Sequence, residues 1–94
     1  MSNNPAIIEV AEERAKQILK WGCEHDAGHS DGELLFAALE LIEAVTTPLR
    51  SSLPDMWGLV SKHQTPRARL RIAAALIVAE MDRRDLLENR EPRT

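Results

Sequence analysis

The sequence predicts an all-α fold: three long helices and one short helix in a small bundle that is expected to oligomerise. Three observations carry this. The composition leans to Ala, Leu, Ile, Glu and Arg with few β-branched residues. Apolar positions recur at intervals of three and four, and helix start and stop residues punctuate the chain at matching places. Aromatic residues are confined to Trp21, Phe36 and Trp57, so the core must be aliphatic. A chain of 94 residues makes one domain, 1–94. A domain of this size buries only roughly 60 to 70% of its unfolded surface, and association with a second copy would widen a thin stability margin.

The first helix is expected over 5–20. Asn4 and Pro5 are an N-cap residue followed by the residue type favoured at the first helical position. Ile7 or Ile8, Ala11, Ala15 and Ile18 or Leu19 form one apolar stripe, with Glu12, Glu13, Lys16 and Lys20 on the other face. Gly22 is placed to end this helix, and residues 22–31, with two glycines and no apolar period, read as a loop. Ser30 and Glu33 then form a capping box ahead of a second helix over 31–46. Its stripe is Leu34 or Leu35, Ala38, Leu41 or Ile42, and Val45, and Pro48 closes it.

A short helix is expected over 53–61, begun by Pro54, with Leu53, Met56 or Trp57, and Val60 inward. Thr65 as cap and Pro66 at the first position start the last helix, 66–89, with Leu70, Ala73 or Ala74, Ile77 and Met81 at helical spacing and a frayed tail at 90–94. The stretch from Ala73 to Ala79 is apolar almost all round, which implies burial on more than one side.

The net charge is −3, unevenly spread: residues 1–47 carry nine acids and three bases, and the remainder carries nine bases and six acids. Such asymmetry could attract an anionic ligand to the second half, or reflect complementary faces within one bundle or dimer. The absence of a concentrated basic surface argues against duplex DNA as a partner. The longest apolar run, Ile72 to Ala79, is far short of the roughly 20 residues that span a bilayer, so no membrane partner is expected. The N-terminal stretch lacks a basic leader, and the lone Cys23 fits a reducing cytoplasm.

Three groups could carry chemistry, and each has a plainer structural explanation. His25, Asp26 and His29 supply imidazoles and carboxylate close in sequence, suited to proton transfer or ligand binding, or to satisfying loop amides and capping the second helix. Glu40 and Glu43 share a helical face, and Glu80 and Asp82 lie beside the apolar run. Carboxylates converging from two helices could hold Mg2+, while the same acids could be a solvated face, with Glu80 ion-paired to an arginine such as Arg14. Arg67 and Arg71 share a face and could recognise phosphate, or simply solvate a helix start. No Gly-rich phosphate loop, dinucleotide fingerprint or nucleophile elbow is present.

Glu13 to Gln17 (ERAKQ), Lys20 to Gly22 (KWG), His25 with Asp26, His29 with Ser30, and Glu33 resemble small phage and prophage proteins and the N-terminal region of the phage dATP/dGTP diphosphohydrolase family. That all-α group is related to MazG-like nucleotide pyrophosphohydrolases. Ala73 to Arg83 (AAALIVAEMDR) is similar to the last helix of those proteins, and the matches cover about half of the chain. The resemblance implies nucleotide handling by a helical homo-oligomer in the cytoplasm of a phage host. His25, Asp26, His29, Arg67 and Arg71 would bind nucleotide, and Glu40, Glu43, Glu80 and Asp82 would bind Mg2+. MazG-like enzymes carry EExxE on one helix and ExxD on the next. Here Glu40 and Glu43 lack the doubled glutamate, and Glu80 with Asp82 replaces the second motif, so whether the chain is an enzyme stays open. The expected function is nucleotide binding, with dNTP pyrophosphohydrolysis as its catalytic form. The alternative is a non-catalytic counter-defence protein that sequesters a nucleotide immune signal or binds and inhibits a host defence protein.

Overall fold

A computed structural model describes residues 5–27, 32–49 and 52–90, without the side chains of 20–27, 89 and 90. Four helices follow in order: α1 (Pro5–Ala27), α2 (Glu33–Thr46), α3 (Leu59–Lys62) and α4 (Pro66–Arg90). The described residues contain no strand, so the all-α expectation holds.

Several boundaries differ from the sequence reading, each for a local reason. Gly22 does not end α1, which runs through it to Ala27. One interior glycine costs about 1 kcal/mol relative to alanine, and no proline follows to force a break. α2 begins at Glu33 and not at 31. Its N-cap is Gly32, in the left-handed region at φ 93° and without a side-chain capping bond. Ser30, the other half of the expected capping box, lies outside the described residues. Glu33 still stands in the first turn, where the helix dipole favours an acid.

The short helix shrinks to α3, because Asp55 and not Pro54 organises its start. The Asp55 carboxylate accepts bonds from the Val60 amide (3.0 Å), the Ser61 amide (3.0 Å) and the Ser61 hydroxyl (2.7 Å). Gly58 takes the left-handed turn into α3 at φ 70°. Thr65 caps α4 by accepting the Ala68 amide at 3.2 Å. Arg90, expected in the tail, is the last residue of α4.

α4 is the central helix, with α2 on one side and α1 on another. Leu34, Ala37, Ala38 and Leu41 of α2 meet Ile72, Ala73, Leu76 and Ala79 of α4, and Ile42, Leu59 and Val60 pack at the margin. The alanines let the two helix backbones approach closely, and Leu41 is completely enclosed. Arg69 joins the end of α2 to the start of α4 by donating to the Ala44 carbonyl at 3.2 Å, which makes the pair an antiparallel hairpin. The same guanidinium donates to the carbonyls of His63 (2.7 Å) and Val60 (3.2 Å), satisfying three backbone acceptors at the hairpin's base.

The inward stripes read for the first and last helices are displaced. Ala73 is buried as read, but Leu70, Ile77 and Met81 are exposed, and the core face of α4 runs through Ile72, Ala73, Ala75, Leu76 and Ala79. None of the buried apolar residues described belongs to α1, whose buried positions are Arg14 and Gln17. α1 therefore sits against α4 by its polar edge, with Ile7, Ile8, Ile18 and Leu19 turned to the outside.

Candidate functional site, a polar seam between the first and last helices

Charged groups are rarely enclosed unless paired, yet three are buried here: Arg14 of α1, which bridges to α4, and Glu80 and Arg83, paired with each other on α4. Arg14, Glu80 and Arg83 are 5%, 3% and 3% exposed, with Gln17 beside them. Arg14 Nε donates to Asp82 Oδ2 at 2.9 Å, and Arg14 Nη1 donates to Gln17 Oε1 at 3.5 Å. One turn apart on α4, Arg83 grips Glu80 with two parallel bonds, Nε to Oε1 at 2.9 Å and Nη2 to Oε2 at 3.1 Å. Arg84 Nε adds a third at 2.5 Å. The bonds from Arg83 are the largest influence on the Glu80 carboxyl; burial opposes them, but with Arg84 they hold it below the usual carboxylate range. Glu80 is thus a fixed anion at neutral pH and not a proton donor.

The expected partner of Glu80 is an arginine such as Arg14, in an ion pair between helices. The structure corrects this: Glu80 takes arginines from its own helix, three and four residues on, and Arg14 crosses to Asp82. The i, i+3 and i, i+4 spacings of Glu80, Arg83 and Arg84 announced that geometry. Gln17 carried no comparable signal.

Toward the start of α4, Arg67 and Arg71 do share a face, and α1 meets it with acids. Arg67 forms a close pair with Glu9, and Arg71 reaches Glu9 at 3.6 Å and Glu13 at 3.4 Å. The Arg67 hydrogen bond holds the Glu9 carboxyl below its ordinary range, and Glu9 raises the Arg67 guanidinium in return. The arginines expected to face phosphate are therefore carboxylate-paired in this chain.

The four expected Mg2+ ligands do not form one site. Glu40 and Glu43 serve the connection after α2: Glu40 accepts the Met56 amide at 3.3 Å, and Glu43 accepts the Ser52 amide (2.9 Å), the Ser52 hydroxyl (2.8 Å) and the Leu53 amide (2.9 Å). Burial pushes the Glu40 carboxyl up, partly offset by the Met56 amide. Glu80 is occupied by two arginines and Asp82 by Arg14. Among the described residues, no three His, Cys, Asp or Glu side chains are grouped to hold a metal. These donors do not fit a Mg2+ ion within one chain.

Beside the polar seam lies an open groove of about 570 Å³, walled by Ile7, Val10, Ala11, Ala15 and Ile18 of α1 and Val78 of α4, with Arg14 at its edge. Successive α1 residues advance by about 100°. Glu9 and Glu13 consequently lie on one flank of the seam, and Ile7, Ala11 and Ile18 lie on the other. The side chains of His25 and Asp26, on the last turn of α1, and all of His29 lie outside the described residues.

No described helix is long and apolar enough to cross a membrane. Comparison with known protein families, curated proteins and solved structures finds no match for this chain.

Proposed function

We propose that this chain is a non-catalytic, nucleotide-binding helical protein of the phage type that its sequence blocks resemble, holding its ligand at the α1–α4 polar seam. One observation supports this above the others. The two blocks of the resemblance, Glu13 to Gln17 and Ala73 to Arg83, lie far apart in sequence, and the fold joins them through Arg14 and Asp82 at 2.9 Å. A small domain gains little stability from an enclosed ionic cluster that aliphatic side chains could replace, whereas fixed charges at a seam suit an anionic, hydrogen-bonding ligand. In this scheme Arg14 positions the half-buried Asp82, and Glu80, itself held by Arg83, positions the exposed Arg84; Asp82 and Arg84 touch the ligand. Arg67 and Arg71 exchange the carboxylates of α1 for phosphate oxygens. The scattered carboxylates favour binding over dNTP hydrolysis.

Calorimetric titration with a panel of dNTPs and cyclic nucleotides, with and without Mg2+, tests the proposal. A saturable signal is expected for at least one nucleotide, at least tenfold weaker in Arg84→Ala, with the ligand recovered unchanged after denaturation. Silence across the panel removes nucleotide binding, and release of pyrophosphate replaces sequestration with hydrolysis.

The apolar groove favours the second reading, inhibition of a host defence protein by surface complementarity. A wall of aliphatic side chains suits a partner's apolar helix better than a charged nucleotide.

A further inference from the structure

We infer that the exposed apolar face of α1 and α4 is an interface with a second copy of this chain. The inference is independent of nucleotide binding. α1, a helix of 23 residues, is attached to α4 by its polar edge. Helices in water draw most of their stability from burying an apolar face. In the single chain that face is open: Ile7 is 65% exposed, and Ile8 and Leu19 extend the stripe outward.

α4 continues the surface. Val78 lines the same groove as Ile7 and Ile18, and Ala74 and Met81, one turn to either side of Val78, carry it along the helix. Ile77, 40% exposed, and Met81, 60% exposed, stand on this free side of α4. α2 and α1 occupy the other two sides. The near-continuous apolar character of the stretch from Ala73 to Ala79 thereby has a third side to account for.

The size of the face selects the occupant. Five large aliphatic side chains, Ile7, Ile18, Leu70, Ile77 and Met81, are each 37 to 65% exposed. With the intervening alanines they present on the order of 400 Å² of apolar surface, within the roughly 300 to 600 Å² of the largest patch on a typical monomer, which is often functional. That is about half of the roughly 800 Å² per partner of a standard interface, close to the apolar share such interfaces carry. The partner must offer a helical, aliphatic surface of equal extent, and the same face of another copy does so through a two-fold axis. The rim carries both signs, Glu12 and Lys16 on α1 and Arg84 on α4, so two copies meet without a block of like charge.

Sedimentation equilibrium on the full chain at micromolar concentration is expected to give twice 10.5 kDa. Ile77→Glu should weaken association by at least about 100-fold, as burial of a charge at an interface centre does. Leu49→Glu, at an exposed site away from the face, should leave association unchanged. If Ile77→Glu fails to fold, isotope-filtered NMR on a mixed-label wild-type sample decides instead, through methyl contacts between Ile7 or Ile18 of one copy and Ile77 or Met81 of the other. A wild-type monomer throughout, a dimer whose intermolecular contacts lie elsewhere, or heterologous binding at this face without self-association would overturn the inference.

Discussion

The two seams of α4 hold their partners by different physics. Toward α2 the contact is dry and aliphatic, small alanines allowing close approach and Leu41 completely enclosed. Toward α1 the contact is ionic, Glu9 and Glu13 against Arg67 and Arg71 at one end and Arg14 against Asp82 farther along. Apolar burial responds little to pH, whereas ion pairs are lost on titration and, where they face solvent as Arg67–Glu9 does, are screened by salt. The α2–α4 hairpin is therefore the structural nucleus, and α1 is an element whose attachment responds to its surroundings. A helix so attached suits a ligand site or an interface better than it suits a core.

Breaking the stronger seam should have the largest effect. Leu41→Ala removes a completely enclosed side chain and is expected to cost about 2 to 5 kcal/mol, lowering the thermal midpoint by roughly 10 °C or more. All helices should melt together, as followed by circular dichroism. A midpoint change of a degree or two would mean that the hairpin is not the nucleus.

Arg14→Met keeps the aliphatic stem and removes the charge that crosses to Asp82. It is expected to cost about 1 to 2 kcal/mol, with the loss of amide protection concentrated in α1. Uniform loss across α2 and α4 would contradict the division between the seams.

Acidification should act more gently and in a stated window. The Glu9 and Glu80 carboxyls are both held below the ordinary glutamate value of 4.5 by arginines. Because their folded pKa values are depressed, their stabilisation is fully present above the unfolded value and is lost as pH falls through the folded values below 4.5. Glu40, pushed up by burial, works in the opposite direction. Glu40→Gln should therefore lose nothing at neutral pH, since the amide oxygen still accepts the Met56 N–H. Thermal melts of the two proteins from pH 7 to pH 3, with the variant converging on wild type as Glu40 is protonated, check the sign.

Much of the architecture was legible in the residues. The stripe Leu34, Ala38 and Leu41 and the Thr65–Pro66 start correspond to a buried face and a capped helix. Position along a helix is a local property, and capping and periodicity report it well. Which side of α1 or α4 faces inward is a tertiary property. Periodicity found the apolar stripe Ile7, Ala11, Ala15, Ile18 correctly and could not reveal that long ion pairs would turn it outward. The candidate ligands were legible as residue types but not as an assembly, because Glu40 and Glu43 are taken by a connection that had no periodic signal. Gly22 misled for a related reason: a glycine marks permission to turn and not the necessity of one.

Residue-resolved hydrogen exchange at low and high protein concentration tests the central claim, that α1 is seated by charge within one chain and by apolar contact with another. Protection in α1 and along the Leu70–Ile77–Met81 face of α4 should rise with concentration, while the α2 face of the hairpin keeps its protection throughout. Equal protection of α1 and α2, unchanged by concentration, would contradict the account.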